Sequence, residues 1–156
     1  MTVAFLSGTR RRTAASIAAV GAGLLALTAC EKPTPVATLT IGTESVNTEA
    51  ACYNDGKPLA KDVFDECMKK TGKTLKLDTD QPLRIGVDPA IAENGWVLGV
   101  EGSLSNEAEE SKKTYQSINS RAFFPPGGQD ELRLQIVELK DKQPVGVWQF
   151  KLKKTG

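Results

Sequence analysis

No histidine occurs among the 156 residues. Its absence removes the commonest general base and metal ligand available at neutral pH. No Gly-x-Ser-x-Gly elbow, phosphate-binding loop or dinucleotide fingerprint is present. Cysteine is scarce, with three residues, and a free cysteine nucleophile would need Cys52 and Cys67 unpaired. Two carboxylates flanking one bond would allow glycoside chemistry. The nearest pair, Asp78 and Asp80, falls in Asp78-Thr79-Asp80-Gln81-Pro82, where aspartate is favoured for turn geometry. That stretch also lacks the glycine a calcium loop requires. The expectation is a protein that is not an enzyme, with no catalytic residue, no metal and no cofactor.

A long apolar run and a basic surplus are missing too. Ala14 to Ala29 is uncharged but only 16 residues long and carries Gly21 and Gly23. About 20 apolar residues are needed to span a bilayer as a helix. The formal charge of +1 depends on Arg10, Arg11 and Arg12. Without them 17 basic residues face 19 acidic ones, a balance of about −2. A chain of that charge is not a basic nucleic-acid binder.

What is present begins with an address. Arg10-Arg11-Arg12, an apolar stretch and then small residues follow the order of a secretory signal. Leu27-Thr28-Ala29-Cys30 resembles the lipobox of bacterial lipoproteins. The resemblance implies cleavage between Ala29 and Cys30 and a diacylglyceryl group on the Cys30 sulfur. Two acyl chains give stable membrane attachment where one gives marginal binding. Thr9-Arg10-Arg11-Arg12 contains a twin-arginine pair, so both the general secretory and the twin-arginine export routes stay open. The expected location is the extracytoplasmic face of the cell membrane.

The chain from Cys30 onward has 127 residues, enough for one domain with its own core. Residues 30–36 contain Pro33 and Pro35 and read as a short extended tether, with one domain from 37 to 156. Outside the cytoplasm Cys52 and Cys67 read as a disulfide, because they are not spaced Cys-x-x-Cys and no histidine accompanies them.

Alternation of apolar and polar residues marks strands at 37–41, 45–53, 74–77, 82–87, 96–100, 132–137 and 147–153, with 114–118 and 121–124 as further short candidates. Turn signals separate them at Asn54-Asp55-Gly56, Asp78 to Pro82, Pro125 to Gly128 and Asp141 to Pro144. Residues 57–71 are the least strand-like, and Val63, Phe64, Cys67 and Met68 form i, i+4 pairs that suit a short helix. Strands never alternate with helices. The fold class is therefore all-β: an immunoglobulin-like antiparallel sandwich of about seven strands with one short helical segment near 60–70. A small open barrel is the alternative.

Several motifs together resemble an uncharacterised family of small actinobacterial lipoproteins. They are the lipobox with Glu31-Lys32-Pro33-Thr34-Pro35, Glu49-Ala50-Ala51-Cys52-Tyr53, Arg84-Ile85-Gly86-Val87-Asp88-Pro89, Asn94-Gly95-Trp96, Ala122-Phe123-Phe124 and Gly146-Val147-Trp148. The resemblance implies a cell-surface location and assigns no activity. Phe123 and Phe124 beside the rigid Pro125-Pro126-Gly127-Gly128 loop are a candidate contact patch for a cell-surface protein partner if both rings are exposed, the alternative being that they plug the end of the sandwich; Trp96 is a second candidate, with a place in the core as its alternative. The expected function is a non-catalytic interaction module. The alternative is a small-ligand-binding or substrate-delivery lipoprotein with a pocket between its sheets.

Overall fold

The computed structural model describes residues 33–104 and 109–155. The expected signal segment 1–29, the expected cleavage between Ala29 and Cys30 and the expected lipid anchor at Cys30 lie outside them.

Among the described residues ten strands build two sheets. One is antiparallel throughout, in the order β2 (Glu44–Glu49), β1 (Val36–Ile41), β5 (Pro82–Val87), β8 (Tyr115–Asn119). The other runs β7 (Ser103–Leu104), β6 (Trp96–Val100), β9 (Glu131–Lys140), β10 (Gln143–Lys154). Beyond β10 lie two strands on the same edge. β3 (Cys52–Tyr53) pairs with Gly146 and Val147, and β4 (Lys73–Leu77) pairs with Phe150 to Lys154. Helix α1 (Lys61–Cys67) connects β3 to β4, and α2 (Pro89–Asn94) connects β5 to β6.

The chain forms the all-β sandwich that its alternation requires, with α1 where the strand pattern lapses and a second short helix, α2, beyond the one expected. Three local readings change. Residues 45–53 do not make one strand: β2 pairs in the first sheet, and the chain crosses at Ala50 so that β3 pairs in the second. Residues 121–124 make no strand, because Ser120–Ala122 is a 3₁₀ turn whose Arg121 N–H donates to the Asn119 side-chain oxygen at 3.0 Å. β4 runs parallel to β10, since α1 carries the chain back along that edge before β4 begins. The immunoglobulin-like aspect is thus the two-sheet architecture, with ten strands in place of about seven.

Period-two alternation builds the interior. Leu39, Leu83 and Ile85 from one sheet meet Leu134, Ile136, Phe150 and Leu152 from the other, with Trp96 and Trp148 filling the space between them. All are almost wholly removed from solvent. The outer face of the second sheet is also covered. Phe64, Met68 and Leu59 lie over Val97, Val137 and Val147, and the Cys52–Cys67 disulfide joins this layer to β3, with Cα atoms 6.1 Å apart. Beneath α1, Gln149 donates to the Cys67 carbonyl at 2.6 Å and accepts from Gln135 at 3.2 Å. Gln135 in turn accepts from the Gly102 N–H. Buried amides linked in this way avoid the cost of lost hydration.

Two glycine-dependent and tether features position the rest. A Cβ on Gly72 would lie 1.7 Å from the Gln149 carbonyl oxygen, so only glycine lets the chain enter β4 beside β10. The tether is fixed to the domain sooner than its prolines suggest. Thr34 Oγ1 accepts from Ala50 N–H, the Pro35 carbonyl accepts from the Trp148 indole at 2.8 Å, and Val36 N–H donates to Asp88 at 2.6 Å.

Candidate functional site

The aromatic residues that suggested a contact patch belong to the core instead. Phe124 is 6% exposed, and Phe123 is half-buried against the same cluster. Trp96 is 1% exposed, and its indole N–H donates to the Lys113 carbonyl at 2.9 Å. The physical reason is the turn at Ser120–Ala122. It folds the chain inward after β8, so the two rings close the end of the sandwich where an extended strand would have left one of them outside.

The acidic residues divide by environment. Asp78 accepts from the Asp80 N–H at 2.9 Å and from Gln81 at 3.0 Å, and both bonds hold its carboxyl below the usual range. Glu131 bonds to Lys151 and Lys153, which bring it down to about 2. These are an Asx-type turn and a surface ion-pair cluster, and neither aims two carboxylates at a common point. Among the described residues no group of three histidine, cysteine or acidic side chains is placed to hold a metal ion.

Glu138 is the acid that sequence reading missed. It sits on β9 opposite Trp96 and Gly146, wholly buried, at a position where alternation demands an apolar residue. One carboxyl oxygen accepts from the Asn94 amide at 2.5 Å, and the other has no partner among the described residues. Burial raises its pKa, against the pull of the Asn94 bond and Lys140. Among the described residues only Asn94 bonds to its carboxyl, and the Tyr53 phenol, across Gly146 on the same sheet, is near enough for the Glu138 charge to raise its pKa, after the larger effect of burial.

A different surface has the properties of a recognition site. β8 is the last strand of its sheet. Its register with β5 fixes which backbone groups are used. Val87 N–H donates to the Thr114 carbonyl at 2.9 Å, so alternate residues Gln116 and Ile118 direct their N–H and C=O groups toward β5. Tyr115, Ser117 and Asn119 direct theirs to the open edge. No described residue bonds to those outward groups. Their side chains lie on the exposed outer face, Tyr115 with 54% of its surface free, while Ile118 packs into the core.

The edges of β2, β4 and β6 are guarded. β2 carries exposed Glu44 and Glu49 at its ends, and β4 carries exposed Lys73 and Lys76. On β6 the free edge is taken by β7 and by Ser111, which exchanges backbone bonds with Trp96. Charges and short strands are the usual means of blocking unwanted strand addition. From Thr114 to Ser120 there is no charge, no proline and no bulge. A shallow groove of about 320 Å³, open to solvent, adjoins the far end of β8 between the Thr79–Pro82 turn and Ser117, Asn119 and Arg121. Sequence reading recognised β8 as a strand but had no signal for its unpaired edge.

No protein-family model, no curated protein and no solved structure matches this chain.

Proposed function

We propose that this chain is a lipid-anchored protein of the outer membrane face that acts without catalysis, by holding another protein near the membrane. The observation that carries the binding part is the open, uncharged edge of β8, where β2 and β4 carry charged residues and β6 is covered. The packing between the sheets supports the same choice. Trp96, Trp148 and Phe150 occupy the space that an interior ligand pocket would need. The anchoring part rests on Leu27-Thr28-Ala29-Cys30. Thr34, the first of the described residues to bond to the rest of the domain, is four positions beyond Cys30, a span of at most about 14 Å. A lipid on Cys30 would therefore hold the domain close to the bilayer.

Chemical crosslinking on intact cells tests the reading. The expected result is a discrete protein adduct whose crosslinked residues lie on the described domain. Recovery of the chain free of protein adducts, together with a co-purifying small molecule of constant mass, would replace it with the ligand-carrier alternative.

A further inference from the structure

The edge of β8 has an end-to-end charge pattern that selects among possible occupants. Lys112 and Lys113 precede the uncharged stretch and Arg121 follows it. All three are exposed. Within the chain, Arg121 meets Asp80 at 2.6 Å, an ion pair with both side chains about 70% in solvent. Such a pair is weak and easily exchanged. An added antiparallel strand centred on Ser117 would place its two ends beside Lys113 and Arg121. A second copy of β8 in that register would bring Lys113 of each chain toward the end where Arg121 of the other follows the strand. Like charges gathered at both ends of such a pair repel. A foreign strand with acidic ends would meet complementary charge at both.

We infer that the β8 edge takes up, by antiparallel strand addition, an extended segment of a partner protein with an uncharged centre and a carboxylate at each end. This rests on the interaction-module reading and names its partner's chemistry. The bonds formed are those of the outward backbone groups of Tyr115, Ser117 and Asn119. Main-chain bonding supplies attachment, and the flanking cations supply direction and choice.

Hydrogen exchange followed by NMR on the full chain in detergent tests it. The probes are two nine-residue peptides with the same alternating threonine–valine centre, one ending in aspartate and the other in lysine at both termini. The aspartate-ended peptide is expected to slow exchange at the Tyr115, Ser117 and Asn119 amides about tenfold, with little change at Gln116 and Ile118, which already bond to β5. The lysine-ended peptide is expected to leave all five unchanged. The double variant Lys113→Glu with Arg121→Glu, altered only at exposed positions, should reverse the preference. Ser117→Pro removes one outward N–H without touching the β5 ladder, and should abolish protection at Tyr115 and Asn119.

Equal protection by both peptides would overturn the inference, as would protection that appears on raising the protein concentration alone. Absence of protection with either peptide would also overturn it. If crosslinks to a partner then mapped to another face, the interaction-module reading would survive that failure.

Discussion

At Glu138 the core holds a carboxyl group with one oxygen bonded to Asn94 and the other bare. Its folded-state pKa lies above the ordinary 4.5, chiefly because burial penalises the charged form. The native state therefore retains a proton that the unfolded chain releases, and stability falls as pH rises from near 4.5 through the folded value. Glu138→Gln keeps the acceptor for Asn94 and cannot ionise. At pH 7 it should be more stable than the parent, because the parent carries the cost of holding an ionisable carboxyl in the core and the amide does not. Thermal unfolding across pH checks this, and the difference should close below pH 4.5. An unchanged gap at pH 4 would mean that ionisation is not the cause.

Among the elements, α1 depends most on its surroundings. Seven residues are too few for a stable isolated helix, and no side chain caps its N-terminus. The disulfide and the burial of Phe64 and Met68 hold it over the second sheet. Replacing Cys52 and Cys67 by serine should lower stability by about 3 kcal/mol for a loop of this length. Urea unfolding measures the loss, and dye binding should rise as Val97, Val137 and Val147 become accessible. At the start of β4, Gly72→Ala should cost roughly 2–3 kcal/mol, because the new methyl meets a backbone carbonyl that cannot rotate away. Chemical denaturation gives that value, and a cost near zero would mean that β4 can shift along β10.

For the whole molecule, the two packed layers share β9 and β10, so they should unfold together in one transition. Membrane attachment is a separate matter. If two acyl chains on Cys30 are the anchor, the native chain should enter a detergent phase and Cys30→Ser should stay in the aqueous phase. Phase partition of both forms measures it. Equal partition would place the anchor elsewhere.

Much of the architecture could be read in advance. Leu83, Ile85, Leu132, Leu134 and Ile136 repeat every second residue, which sets the apolar face of each strand and hence a sandwich. Cys52 and Cys67 announced their bridge by number and spacing, and residues 57–71 announced a helix by the lapse of that period. Tertiary structure alone decided which sheet each strand joined, that Phe124 and Trp96 turned inward, that a buried position would carry Glu138, and that β8 would stand open. The reason is that period-two patterning is written in side chains, which choose a face. Edges are made by N–H and C=O groups that nearly every residue carries, so their pairing is settled only when the whole chain has been laid down.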